Sequence, residues 1–328
     1  MKFIILGFPE YLSNLIFHLK DSEFLNENKI DIIFVESIKP NYSFKKIKRL
    51  LKTFTVSKFL YKIIYRMNKT KYDLIINHIF PKKDILFLKN YNNINLIKYT
   101  SLNEIKNLES YDLMIVATFG QKIPSSIFSK PKKGTLNIHP SYLPKQRGGY
   151  PTYVQSFKSE KYSGTTIHCM GEKWDNGDIV IQDEYEVSYD MSNHTRFLLS
   201  AKYAAILLNR LNDNKFNFNK ISQNENQISY CHKIIKPIQK IENINQIYHL
   251  KGIVQANFAS HLFPFTYIFY RFRLICVLDI EEVFNEFKFP LIKNKVNIFR
   301  KNGNFYLNFY GKLYILKKYL FGSTLIVK

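Results

Sequence analysis

With 328 residues the chain exceeds one small domain, and a 46% hydrophobic content excludes global disorder, so two packed domains are the expectation. A formal net charge of +22 predicts attraction to phosphate-bearing partners or an anionic membrane face, but it excludes no fold. The 28 Phe and 23 Tyr against one Trp, with abundant Lys, Asn and Ile, mark a compositional bias, so no single Lys, Asn or Phe is read as a functional signal.

Residues 2–6 form an apolar run ending at Gly7, and residues 10–19 follow with helical periodicity. That first run is closed by Pro9 and Glu10 and is too short for a signal peptide. Residues 30–35 read as a second strand. Ten Lys or Arg residues then fall between Lys45 and Lys71 with no acid among them. Ile47, Leu50, Leu51, Phe54, Phe59, Leu60, Ile63, Ile64 and Met67 recur there at helical spacing. The pattern predicts one or two amphipathic helices with a basic face, either plainly solvated or an electrostatic surface for phosphates or membrane. Residues 74–77 and 113–118 are further apolar runs. Strands alternating with helical stretches indicate the α/β class, with a Rossmann-like, mostly parallel sheet. No G-x-G-x-x-G follows the first strand, so the dinucleotide fingerprint is absent.

Residues 192–211 are again helical in pattern. Asn212, Asn214, Asn217, Asn219, Asn224 and Asn226 follow, and read as a polar linker. The chain therefore divides into a larger domain over 1–210, a linker over 211–230 and a smaller domain over 231–328. In the last part residues 236–253 look helical, and 274–278, 296–299 and 305–309 look like strands. Asn302-Gly303 between two such runs is a hairpin signal, so the smaller domain is expected to be α+β with β-hairpins. The apolar run 262–270 is too short to span a bilayer, and the protein is expected to be soluble and cytoplasmic. Cys169, Cys231 and Cys276 are scattered and odd in number, so neither a disulfide framework nor a metal site is expected.

The chemistry sits between residues 113 and 180. Alternation along 136–139 points Asn137 and His139 to one side of a strand end, and Pro140 stops the strand. Open α/β sheets place their ligand crevices at such ends. Asp175, in a Trp-Asp-Asn-Gly-Asp turn, could orient the imidazole. An Asn-x-His pair alone is weak evidence. Three blocks together are not: N-I-H-P-S-Y-L-P-K-Q-R-G from Asn137, S-G-T-T-I-H from Ser163 and W-D-N-G-D-I from Trp174. This set resembles the signature of the formyltransferase family, which includes methionyl-tRNA, glycinamide ribonucleotide and nucleotide-sugar formyltransferases. Tyr142 stands for the usual Leu and Asn176 for the usual Thr, while Gly149-Tyr150-Pro151 replaces the Ala-Ala-Pro of the tRNA enzymes.

The resemblance implies formyl transfer from N10-formyltetrahydrofolate, as co-substrate, to a primary amine, with residues 1–210 as the catalytic domain. It implies Asn137 as donor to the developing oxyanion, His139 as general base, and Asp175 as the carboxylate that holds its tautomer. The donor's pterin is expected beside Phe119, Gly120, Gln121 and Ile123, close to Asp175. Ser141, Arg147 and Gly148 are candidates for contact with the acceptor, Arg147 either through a phosphate or as a brace for its loop. His168 reads as structural. The leading acceptor is the amino group of a nucleotide-linked amino sugar of surface polysaccharide biosynthesis. Methionyl-tRNA is the alternative, and a non-catalytic folate- or nucleic-acid-binding relative is a second one. A homodimer fits either enzyme.

Overall fold

The computed structural model describes residues 1–35, 85–97, 105–119, 122–231, 250–257, 266–271, 273–283, 296–321 and 324–327. The basic stretch at 45–71, the run at 74–77, Gly120, Gln121 and most of 236–253 lie outside the described residues. The chain forms two compact units. The first contains the described residues up to Cys231, and the second those from Leu250 onward.

Seven strands build the sheet of the first unit: β1 (Lys2–Gly7), β2 (Lys29–Phe34), β3 (Ile94–Ile97), β4 (Leu113–Ala117), β5 (Thr135–His139), β6 (Tyr162–Cys169) and β7 (Ile179–Glu186). Their order is β3-β2-β1-β4-β5-β6-β7. The first five run parallel, and β6 and β7 add antiparallel at one edge. The mostly parallel sheet read from the alternation of elements is therefore present.

The apolar runs of β1 and β4 are unbroken because both faces are covered. Phe3, Ile5, Leu113 and Ile115 enter one core cluster. Ile4, Leu6, Met114 and Val116 enter the other. On the first face lie α1 (Pro9–His18) and the long α5 (Asn193–Asp213), whose Ala201, Ala204, Ala205 and Leu208 recur at helical spacing. The Ser192 hydroxyl starts α5 by accepting the Thr195 N–H at 3.0 Å. Short helices α2 (Glu23–Glu27), α3 (Ser125–Phe128) and α4 (Pro151–Phe157) also belong to the described residues of this unit. Each fully buried large apolar side chain contributes roughly 1.5–3 kcal/mol.

The strand order reverses direction between β1 and β4, which makes their carboxyl ends the switch point of the sheet. Strands approach closely there: a Cβ on Gly7 would lie 2.3 Å from the Ala117 carbonyl oxygen. β5 is the next strand along, so its last residue, His139, stands at the mouth of this crevice.

The second unit is an antiparallel sheet ordered β10-β11-β12-β9-β8, with β13 paired to β12. Its strands are β8 (Thr266–Tyr270), β9 (Arg273–Glu282), β10 (Val296–Lys301), β11 (Asn304–Phe309), β12 (Lys312–Phe321) and β13 (Thr324–Val327), with α6 (Leu250–Asn257) packed on β9. The hairpin at Asn302-Gly303 forms as its sequence predicts. Lys301 pairs with Asn304, and both turn residues have positive φ, 49° and 78°. No described helix is long and apolar enough to cross a membrane.

Residues 211–230 correct the linker reading. They belong to the first unit. Phe216 is 2% exposed, its ring 4.8 Å from Phe3 and 5.9 Å from Phe24. Ile221 bridges Ile179 of β7. The asparagines that suggested a linker are surface residues of a segment anchored by a few apolar and amide side chains between them. Phe216→Ala should therefore destabilise the protein by about 3–5 kcal/mol, the cost of emptying an aromatic core site, as measured by urea denaturation. A change within about 0.5 kcal/mol would restore the linker reading.

Candidate active site

The site starts from how the chain leaves β5. After His139 the loop 140–148 folds back over β6, where Gly164 leaves it room. A Cβ on Gly164 would stand 2.5 Å from the Tyr142 nitrogen, a contact no side chain allows. The Thr166 hydroxyl accepts the Leu143 N–H at 3.1 Å and lies 2.7 Å from the Ser141 carbonyl. Ser141 itself is fully buried and donates its hydroxyl to the Lys145 carbonyl at 2.7 Å. The loop is thus held by its own side chains and by β6.

Asn137, His139 and Asp175 meet as the sequence implies. The Asp175 carboxylate is buried, at 7% side-chain exposure, with Oδ1 placed 3.6 Å from His139 Nδ1 and 3.7 Å from His168 Nε2. Its Oδ2 accepts the Gly148 N–H at 2.7 Å. Asn137 Nδ2 lies 3.1 Å from His168 Nε2 and donates to Asp175 Oδ1 at 3.3 Å. The backbone of Asp175 adopts φ 52°, a left-handed conformation that aims the side chain back at β5.

The tautomers follow from the partners. His139 Nε2 is 3.0 Å from the Gln146 carbonyl, which only accepts, so this nitrogen carries the hydrogen. The Nδ1 lone pair of neutral His139 then faces Asp175. His168 Nδ1 likewise lies 2.8 Å from the Cys169 carbonyl and is the protonated nitrogen, leaving Nε2 to accept from Asn137. Each hydrogen of the Asn137 amide thus has a partner. The Gln146 carbonyl, rather than Asp175, holds the His139 tautomer; Asp175 is placed to stabilise the cation once Nδ1 takes a proton.

Burial pushes the His139 pKa down from its ordinary value, against an upward pull from Asp175 and the Gln146 bond. For Asp175 burial pulls upward, but the positive charge that His139 and His168 carry when protonated and the Gly148 N–H outweigh it and hold the carboxyl well below the usual range. A neutral imidazole beside a firmly ionised carboxylate is the arrangement of a general base awaiting its proton.

The remaining sequence candidates divide. Gly148, at φ 111°, supplies the N–H that holds Asp175. Arg147 is 2% exposed and gives Nε and Nη2 to Gln223 Oε1 at 3.0 and 2.7 Å, so its contacts are those of a brace. Ser141 is committed inside the loop in the same way. Ile123 is buried beside β4, and Phe119 packs partly against the same cluster. Thr118 precedes them at φ 56°, strained for a β-branched residue, and among the described residues its buried hydroxyl oxygen meets no partner.

Sequence reasoning missed His168 and Gln223. The paired register, Asn137 opposite His168, brings the first in, and alternation along β6 was the available signal. Gln223 lay in the supposed linker, where nothing marked it. Its Nε2 donates to the carbonyls of Asp175 at 2.9 Å and Gly177 at 2.7 Å while its oxygen holds Arg147. One amide therefore ties the Asp175 turn to the loop after β5. Gln223→Leu should cost about 1–3 kcal/mol in urea denaturation, because it leaves a buried guanidinium and two carbonyls short of partners. A stability within about 0.5 kcal/mol of wild type would show that the loop stands without it.

Comparison with known proteins bears on the fold and the family. Residues 66–201 match the Formyl transferase family. The methionyl-tRNA formyltransferase of Clostridium perfringens strain SM101 is 28% identical over 251 residues, which covers 74% of this chain and 69% of that protein. That of Bacillus thuringiensis strain Al Hakam is 33% identical over 150 residues, 43% of this chain and 47% of that one. Among solved structures, the N-formyltransferase from Helicobacter canadensis, in complex with folinic acid and dTDP-3-aminofucose, matches with a TM-score of 0.59 at 16% identity, covering 96% of this chain and 98% of that one. WlaRD, a sugar 3N-formyl transferase solved with dTDP and 5-N-formyl-THF, matches with a TM-score of 0.57 at 16% identity over 96% of each chain. The motif blocks, the fold and the match over residues 66–201 converge, and this part of the chain is similar to the formyltransferase family.

Proposed function

We propose that this chain transfers the formyl group of N10-formyltetrahydrofolate to the amino group of a nucleotide-linked amino sugar. One observation carries the chemistry: a neutral, tautomer-locked His139 whose free nitrogen faces the ionised Asp175, with the Asn137 amide beside both. The crevice beside β4 and β5 suits the donor. Phe119, half-buried against the core cluster that holds Ile123, would give the pterin an apolar contact, and Thr118 before it has a buried hydroxyl that meets no partner among the described residues. Folate ligands in the two solved relatives fit this reading.

In this mechanism the amine nitrogen bonds to the formyl carbon as its proton passes to His139 Nδ1. Asp175, 3.6 Å away, stabilises the resulting imidazolium. The formyl oxygen gains negative charge and competes for the Asn137 hydrogen that now makes a long 3.3 Å contact with Asp175. Collapse breaks the bond from the formyl carbon to N10, and the proton held on His139 leaves with the tetrahydrofolate. His168 holds the Asn137 amide in place throughout.

The amino-sugar acceptor is supported by two solved relatives that match along 96% of the chain, one in complex with dTDP-3-aminofucose and the other a sugar 3N-formyl transferase. Tyr150, in the segment that departs from Ala-Ala-Pro, points the same way. Sequence relatives favour the second reading, methionyl-tRNA, which the net charge of +22 would also suit.

Replacing His139 by Ala should lower kcat about 10²-fold or more, as loss of a general base does. Asn137→Ala should cost on a similar scale through the oxyanion. Because burial lowers the His139 pKa, the acid limb of kcat/KM should fall below about pH 6.5, the ordinary histidine value. Asp175→Asn removes the charge that raises this pKa, so the limb should move lower still while kcat drops. Unchanged rates and profiles in all three variants would remove the mechanism.

The acceptor is tested by salt. A nucleotide sugar brings one diphosphate, whereas transfer RNA brings many phosphates whose counterions are released on binding. Acceptor KM should change only a few-fold between roughly 50 and 200 mM salt, against about 10³-fold for multi-phosphate contact. Efficient, steeply salt-dependent formylation of methionyl-tRNA would replace the sugar reading with its rival.

A further inference from the structure

Three exposed aromatic residues stand on segments whose backbone is tied to the site of the buried carboxylate. Trp174, the only tryptophan of the chain, precedes Asp175 and is 52% exposed. Tyr150 is 46% and Tyr230 is 36% exposed. Each springs from backbone tied to the site. Gly148, two residues before Tyr150, donates its N–H to Asp175 at 2.7 Å. Tyr150 donates its own N–H to Cys231 Sγ at 3.2 Å, and Tyr230 bridges Arg147. Single exposed aromatics need no explanation, but three on segments tied to one site do. Folding does not require their large apolar area in water, whereas an aromatic wall is what a small-molecule site uses to hold a ring.

The position selects the ring. The attacking amine must lie at His139 Nδ1 and Asp175, and the ring that bears it is bonded directly to it. In a nucleotide-linked amino sugar the base stands beyond a ribose and a diphosphate, out of reach of side chains next to Asp175. The donor's pterin is expected at Phe119 and Ile123, on the segment that follows β4. We propose that Trp174, with Tyr150 and Tyr230, forms an aromatic rim that packs against the apolar C–H face of the acceptor's amino-bearing sugar ring and so selects the acceptor. The inference rests on the amino-sugar reading of function.

The single tryptophan makes the test direct. Wild-type protein is first assayed with a panel of dTDP- and UDP-linked amino hexoses. With an accepted sugar, Trp174 emission should change on titration, while dTDP or UDP without the sugar should leave it unaltered. Trp174→Ala should raise acceptor KM about five- to tenfold, the scale of a lost aromatic contact, with kcat within about twofold and donor KM unchanged. Trp174→Phe should recover most of the loss, which a merely structural role would not predict. An effect on donor KM instead, or unchanged acceptor KM and emission in an active enzyme, would overturn the aromatic rim alone. A wild-type protein that formylates none of the panel would defeat the function reading and the rim with it.

Discussion

A carboxylate removed from water must be met by donors and positive charge, or it takes up a proton and becomes neutral. Asp175 is buried on a turn of its own, and what meets it comes from elsewhere: Asn137 of β5 and the Gly148 N–H of the loop after β5 donate to it, and His139 of β5 and His168 of β6 stand where a proton on either ring would bring positive charge. These are separated in the sequence, so the ionised state of one side chain depends on the register of two strands and the path of one loop. The left-handed backbone at Asp175 is part of the same demand, since it turns the carboxylate toward β5.

The packing around the site serves that requirement. Gly164 lets the loop lie flat on β6, and Thr166 and Ser141 fill its inner hydrogen bonds. Cys231, whose thiol burial pushes up to about 11, joins in as a neutral polar group: it donates to the Arg147 carbonyl and accepts from Tyr150. Arg147 and Gln223 then lock the loop to the Asp175 turn. A residue that a motif would assign to substrate is here a buried brace, because its guanidinium finds its acceptor inside the protein.

Beside this ordered interior stand exposed groups for which folding has no use. The side chains of Trp174 and Tyr150 are such groups; Thr118 at the end of β4 differs, with a left-handed backbone and a buried hydroxyl that meets no partner among the described residues. The interior holds His139 and the Asp175 carboxylate; in the proposed reading the exposed aromatics would choose the acceptor. The faces of β1 and β4, by contrast, belong wholly to the two cores.

The sequence by itself determined much of the fold and brought Asn137, His139 and Asp175 together as one candidate site. Unbroken apolar runs in β1 and β4 could only be strands covered on both faces. Asn302-Gly303 could only be a tight turn, and Asn137 and His139, two apart before a proline, had to share one side of a strand end. These readings rest on local periodicity and local backbone limits. Tertiary structure alone decided the rest. His168 became a partner of Asn137 only through antiparallel pairing, the His139 tautomer passed to the Gln146 carbonyl only when the loop folded back, and the asparagine-rich segment proved anchored rather than free because Phe216 and Gln223 find partners far away in the chain. Such contacts join residues whose separation carries no period, so no local pattern records them.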